Sequence, residues 1–285
     1  MRLPEWIKTK GFPGIHNTKN VLRSHRVYTV CEEARCPNIG ECFSRRAVTF
    51  MILGSKCTRN CSFCFVESSR PEPPDQGEPE RVALAAKEMG LKYVVITSVT
   101  RDDLLDGGAG HFAQTVYAVR RHIKEAKVEV LTPDFKGDIS AIITVMGSRP
   151  DVYGHNVETV PRLYSIVRPK ADYIRSLSIL KYVKKISPLT NTKSGVMLGL
   201  GETLNEVIDV LKELNDAGCD FVTIGQYLRP SKKNLPVVEY IDPDMFEKLR
   251  LIAIDMGFKY VASSPLVRSS MNAEEMYGAV REQNA

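Results

Sequence analysis

Six short runs of β-branched and apolar residues, each followed by a longer stretch with helical patterning, constrain this fold more than any other feature. The runs fall at 48–53, 93–98, 127–131, 152–155, 195–199 and 221–225. Parallel strands need crossover connections of a dozen or more residues, usually helices, and this alternation is their sequence signature. The spacing predicts helices at 80–89, 112–124, 172–186 and 204–217; in the last, Leu204, Val207, Ile208 and Leu211 share one helical face. The expected class is α/β: a partial (β/α)6 TIM-like barrel over 48–226, with an N-terminal extension over 1–47 and a C-terminal extension over 227–285. That last extension reads as a helix, a strand at 259–262 and a terminal helix from about Asn272. In folds of this kind the active site gathers at the C-terminal ends of the strands.

A chain of 285 residues with 43% hydrophobic content buries a sizeable core without covalent staples. Its cysteines therefore need another explanation. Six of the seven lie in one N-terminal window, as Cys31, Cys36 and Cys42, then Cys57, Cys61 and Cys64. Disulfide frameworks belong mostly to small secreted chains. Residues 1–14 carry charges and prolines but no apolar core of a signal peptide, and no apolar run approaches the roughly 20 residues of a membrane span. The expected setting is soluble, reducing and cytoplasmic, with no membrane association. The formal charge of +5 is mild, and no basic run with interleaved aromatics points to nucleic acid. A linker-like patch at 68–79 carries four prolines.

Thiolates select zinc or iron-sulfur clusters. Structural zinc asks for four closed ligands, commonly two C-x-x-C pairs, whereas two groups of three favour clusters with one iron left open. An electron-transfer ferredoxin would show four cysteines per cluster. The group Cys57-Thr-Arg-Asn-Cys61-Ser-Phe-Cys64 directly follows the first barrel strand, where the fold would place chemistry.

C-x-x-x-C-x-x-C at that position resembles the radical S-adenosylmethionine superfamily. The added C-x4-C-x5-C group resembles, within it, the lipoyl synthase family. So do Thr97-Ser-Val-Thr-Arg-Asp-Asp103, Asp106-Gly-Gly108, His155-Asn-Val-Glu-Thr159, Lys193-Ser-Gly-Val-Met-Leu-Gly-Leu-Gly-Glu202, Gly225-Gln-Tyr-Leu-Arg-Pro-Ser231 and Pro265-Leu-Val-Arg-Ser-Ser270. The resemblance implies two 4Fe-4S clusters and S-adenosylmethionine as cofactors. Cys57, Cys61 and Cys64 would hold the catalytic cluster. Cys31, Cys36 and Cys42 would hold an auxiliary one that donates sulfur, with Ser270, or its neighbour Ser269, as the fourth ligand. The implied reaction is sulfur insertion into an octanoyl chain on a lysine of a lipoyl carrier domain, in 2-oxoacid dehydrogenase complexes or the glycine cleavage system. A ferredoxin or flavodoxin would supply electrons. Met271 stands where the family usually has tyrosine, and Ser264 where it usually has glycine. Two other readings stay open: a radical enzyme whose second cluster carries electrons or binds substrate, and a scaffold in which the cysteines hold structural metal.

Asn156 and Glu158 have a simple reading as a helix cap and a first-turn acid. At a strand's C-terminal end they are expected instead to contact the bound nucleoside. Ser269 and Ser270 could be caps, but Asn272 with Glu275 already forms a plausible capping pair for the terminal helix. Gly107, Gly108 and Gly110 read as turn and helix entry, since the cofactor carries no phosphate. Asp102 and Asp103 are expected to be loop residues without a proton role, Cys219 to be a packing residue, and the five scattered histidines to bind no metal.

Overall fold

The computed structural model describes residues 3–7 and 15–283; the rest of the 1–14 segment read for a signal peptide lies outside the described residues. The chain divides into two compact units, one of residues 9–60 and 65–152, the other of residues 1–8, 61–64 and 153–285. No described helix is long and apolar enough to cross a membrane.

In the N-terminal unit, β1 (Tyr28–Thr29) pairs antiparallel with β2 (Thr49–Ile52). A two-stranded parallel ribbon follows, β3 (Lys56–Cys57) with β4 (Glu67–Ser68). Strand β2 pairs parallel with β5 (Tyr93–Ser98), and β5 with β6 (Lys127–Leu131). The cysteine-bearing extension is largely helical: α1 (Ile15–Ser24), α2 (Val30–Glu33) and α3 (Ile39–Ser44) precede β2. Helices α4 (Glu78–Glu88), α5 (Ala109–His122) and α6 (Ile139–Gly147) complete the unit. Helix α6 was not expected, because its run of Ile, Val and Met masks the helical period. Its start is nonetheless capped, since Asp138 Oδ1 accepts from the Ser140 N–H at 2.8 Å. Phe50, Ile52, Val94, Ile96, Val128 and Val130 are fully buried in these strands.

Strand β7 (Val152–Gly154) carries the chain into the C-terminal unit. There β8 (Asn191–Leu198), β9 (Phe221–Gln226) and β10 (Tyr260–Ser263) run parallel in that order. Around them lie α7 (Tyr164–Val167), α8 (Tyr173–Ile186), α9 (Leu204–Asp216), α10 (Pro243–Asp255) and α11 (Ala273–Gln283). Strand β8 starts four residues before the apolar run, in Asn-Thr-Lys-Ser, where Thr192, Lys193 and Ser194 are buried; Thr192 Oγ1, for instance, donates to Gly218 O at 2.7 Å. Helix α9 opens with a full capping box of Thr203 and Glu206. Its Val207, Val210, Leu211 and Leu214 join Leu180, Val196, Val222 and Phe246 in one core. The terminal helix was expected to be capped by Asn272. That residue instead has φ 53°, in the left-handed region, not the extended conformation typical of an N-cap.

Candidate active site

In the N-terminal unit the first cysteine group is built on two short helices. The Cys36 N–H donates to Cys31 O at 3.0 Å, the Cys42 N–H to Asn38 O at 2.9 Å, and the Ala47 N–H to Cys42 O at 2.8 Å. Burial pushes the Cys31 thiol up to about 12, and charge on Cys36 and Cys42 pushes it further in the same direction. Cys42 is pushed up to about 11 by burial and then by Cys36. Cys31 and Cys42 thus both feel negative charge on Cys36, a repulsion that bound positive charge relieves.

Cys57 ends β3, and its carbonyl accepts from the Ser69 N–H at 3.2 Å, which pinches the ribbon's base. Its Sγ accepts from the Arg59 N–H at 3.4 Å. The following Thr58 is tied to the end of β5: its N–H and Oγ1 both donate to Thr100 O, at 3.1 and 3.0 Å. Gly107 and Gly108 turn the chain into α5 with φ 61° and 92°, and a Cβ on Gly108 would lie 2.3 Å from Leu53 Cδ1. These are turn and helix-entry glycines, as expected. Asp103 is held by Arg101 Nε and Nη2 at 2.9 and 2.8 Å, and that bond keeps its carboxyl below the usual range. Asp102 is paired separately with Arg59, so the two acids do not act together.

In the C-terminal unit Cys61-Ser-Phe-Cys64 is gripped from both sides. The Ser62 N–H donates to Val167 O at 3.0 Å and its Oγ to Ile166 O at 2.8 Å. Asn234 Nδ2 donates to Cys64 O at 2.7 Å, and the Leu235 N–H to Ser62 O at 3.1 Å. Phe63 packs against the core of this unit. Neither Asn234 nor Arg168 stood out in the sequence, since a lone amide or guanidine in a loop carries no periodic or spacing signal. Arg168 Nη1 donates to Asn156 O at 2.8 Å, its charge acts on Cys61 and Glu158, and its Nε is a buried donor without a hydrogen-bond partner.

No helix starts after β7 at Asn156, so the capping reading of Asn156 and Glu158 fails. Glu158 instead has φ 66° and bridges to Val196 of β8, with its N–H on Gly195 O at 2.9 Å and its O accepting from the Met197 N–H at 2.8 Å. A left-handed glutamate is backbone strain of the kind that collects at functional sites. Asn156 Nδ2 donates to Glu158 Oε1 at 3.0 Å, and Ser269 Oγ donates to Asn156 Oδ1 at 3.2 Å. Burial raises the Glu158 carboxyl above its usual range, with Arg168, the Asn156 bond and Arg268 pulling the other way. The structure therefore brings the Arg-Ser-Ser segment to the predicted nucleoside pair through Ser269.

That segment lies over the end of β9. A Cβ on Gly225 would meet Val267 O at 2.2 Å, and the Gln226 N–H donates to Pro265 O at 3.2 Å. Gln226 is fully buried: Nε2 donates to the carbonyls of Leu198, Tyr227 and Glu239 at 3.0–3.1 Å, and Oε1 accepts from the Ile241 N–H at 2.8 Å. Nearby, Glu202 caps the end of β8 by accepting from the N–H groups of Gly199 and Leu200 at 2.5 and 2.9 Å.

None of the seven cysteines is in a disulfide, and Cys219 is buried and 3.2 Å from Phe221 O, a packing residue as expected. Among the described residues no three of His, Cys, Asp and Glu converge on a point where a single ion would sit. A cluster asks something different of its ligands, because each thiolate takes its own iron.

Residues 51–225 match the model of the radical SAM superfamily. The lipoyl synthase of Caldanaerobacter subterraneus subsp. tengcongensis is 56% identical over 96% of each chain. The chain belongs to the lipoyl synthase family. Another member, the lipoyl synthase of Caldicellulosiruptor saccharolyticus, is 56% identical over 95% of this chain and 96% of its own. The lipoyl synthase of Alkaliphilus metalliredigens is 54% identical over 96% and 95%. Among solved structures, methylornithine synthase superposes with a TM-score of 0.54 at 14% identity, covering 90% of this chain and 84% of its own. SuiB of Streptococcus suis bound to S-adenosylmethionine gives 0.60 at 12% identity, over 82% and 57%. These structural likenesses show a shared α/β fold, in line with the TIM-like class read from the sequence. Lipoyl synthases are radical SAM enzymes, and the cofactors that go with the family are 4Fe-4S clusters and S-adenosylmethionine.

Proposed function

We propose that the chain inserts two sulfur atoms into an octanoyl group carried on a lysine of a lipoyl carrier domain, forming the lipoyl cofactor in place. The observation that carries this reading is 56% identity to a lipoyl synthase across nearly the whole chain, together with both cysteine triplets intact. Cys57, Cys61 and Cys64 hold the catalytic cluster. Cys31, Cys36 and Cys42 hold the auxiliary cluster, with Ser270 as its fourth ligand. Ser269 Oγ donates to Asn156 Oδ1, and the choice of Ser270 over it follows the family resemblance. When bound, the catalytic cluster would pass an electron to S-adenosylmethionine, releasing methionine and a 5′-deoxyadenosyl radical for hydrogen abstraction, and the auxiliary cluster would supply the sulfur that replaces the hydrogen.

The chain's own side chains do the placing. Asn156 and Glu158 orient the nucleoside at the ends of β7 and β8. Arg168 adds a half-buried cation beside Cys61 and Glu158, with Nε free to donate. Residues 1–47 and 227–285 act as the extensions that bring the auxiliary ligands to the barrel of 48–226. The carrier domains are those of 2-oxoacid dehydrogenase complexes or the glycine cleavage system, the electron donor is a ferredoxin or flavodoxin, and the setting is the cytoplasm.

Anaerobic reconstitution with an octanoyl-lysyl peptide tests this directly. The expected outcome is about eight irons per chain, 5′-deoxyadenosine formation and a dithiolated product. About four irons, or two clusters without sulfur transfer, overturns it.

A further inference from the structure

Arg59 lies inside the C-x-x-x-C loop, two residues after Cys57, yet its side chain is only 4% exposed. Nε and Nη2 donate to the two oxygens of Asp102 at 2.7 and 2.9 Å, a bidentate pair. Nη2 also donates to Asp134 Oδ1 at 2.6 Å, and Asp134 is fully buried. Both acids are fixed in turn. The Asp102 N–H donates to Thr58 Oγ1 at 3.0 Å and its carbonyl accepts from Lys136 Nζ at 3.0 Å, while Asp134 Oδ1 accepts from the Lys136 N–H at 3.0 Å. One guanidinium thus ties the limb leaving Cys57 to the loops after β5 and β6.

Burying a cation with two carboxylates is a poor way to gain stability, because desolvating three charges offsets most of their attraction. It is a good way to fix a geometry, since bidentate arginine pairs are directional as well as strong. The neighbouring backbone N–H of the same residue already points at the Cys57 sulfur. A well-supported ligand shell is what metal sites need for a defined ligand orientation.

We propose that Arg59, held by Asp102 and Asp134, is a positioning residue that sets the orientation of the Cys57 thiolate toward the radical-generating cluster. The proposal rests on the reading of Cys57, Cys61 and Cys64 as that cluster's ligands. Asp102→Asn removes one of the two bidentate bonds and leaves Asp134 to balance the guanidinium, so it is a milder change than removing the arginine. Arg59→Lys keeps the charge and loses the fork.

The test places each variant in two backgrounds of the full chain: one lacking Cys31, Cys36 and Cys42 by alanine substitution, the other lacking Cys57, Cys61 and Cys64. Iron loss to a chelator, the EPR spectrum of the reduced cluster with and without S-adenosylmethionine, and thermal melting are measured in both. In the first background D102N and R59K should lose iron about tenfold faster and broaden the S-adenosylmethionine-dependent EPR signal, in keeping with the steep cost of small misplacements at reacting centres. In the second background their iron loss should match the parent's. Equal iron loss and an unchanged spectrum in the first background, or equal acceleration in both, overturns the positioning role. A first-background parent that takes up no cluster at all refutes the ligand assignment itself.

Discussion

Gly225→Ala is the most economical probe of how the Arg-Ser-Ser segment is seated. The added methyl would stand 2.2 Å from Val267 O, a backbone atom that cannot swing aside like a side-chain tip. To reach ordinary contact the carbonyl must retreat by more than about 1 Å, and overpacking of this kind typically costs about 1–3 kcal/mol. Strand β9 itself is held by its pairing with β8 and β10, so the displacement falls on residues 265–270. The Ser269 bond to Asn156 is only 3.2 Å long and will not survive such a shift. Losing one neutral hydrogen bond is worth about 0.5–1.5 kcal/mol, which is roughly twofold to thirteenfold in affinity. The assay is titration of S-adenosylmethionine into reconstituted protein, with thermal melting in parallel. The expected result is a folded variant with a lowered melting point, affinity weakened by that factor, and impaired sulfur transfer. A variant that melts lower but binds and turns over like the parent would show that the segment yields without disturbing Asn156, and would refute the linkage.

Three further outcomes follow from the geometry. Glu158→Gly and Glu158→Ala should both weaken nucleoside binding, but the glycine variant should melt higher, since a left-handed non-glycine residue costs about 1–2 kcal/mol; equal melting points would deny the strain. Cys219→Ala should keep its full iron content in reconstitution, in contrast to Cys31→Ala, and a loss of iron would remove the packing role. Glu206 is held down to about 2 by Arg162 and its cap bonds, so its folded value lies below its ordinary 4.5. Its stabilising contribution is therefore complete above about pH 4.5 and disappears as pH falls toward 2. Glu206→Gln should flatten that acid limb in pH-dependent melting, and an unchanged limb would show that solvent screens the bonds away.

The strands were legible as continuous apolar runs because both their faces are buried, and the long helices because burial writes a period of 3.6 into the sequence. Where polar residues are buried and satisfied, as at Thr192, Lys193 and Ser194, the pattern fails and β8 is read too short. The cysteine spacing was legible because each ligand is a rare residue type. Its supports were not: Arg59, Asp134 and Asn234 are common residues whose partners lie far away in the chain, up to 172 residues for Asn234 and Ser62, and Arg168 is a lone guanidine whose nearby partners carry no spacing signal. Asn156 was readable as a candidate but not its conformation, because local capping rules cannot foresee a tertiary partner such as Ser269.

Gln226 and Gly199 illustrate how such support restricts change. A Cβ at position 199 would lie 2.1 Å from Gln226 Nε2 and 2.4 Å from Glu239 O. Any side chain at 199 therefore demands a shorter one at 226, which in turn orphans the carbonyls of Tyr227 and Glu239 and the Ile241 N–H, while Leu198 O keeps the Tyr227 N–H. Randomising either position singly in a directed-evolution library would yield almost only defective members. Varying both together would still leave those three backbone groups to be answered from elsewhere. For anyone redesigning the specificity of this site, the pair behaves as a single locked letter, and diversity is better placed at positions outside it.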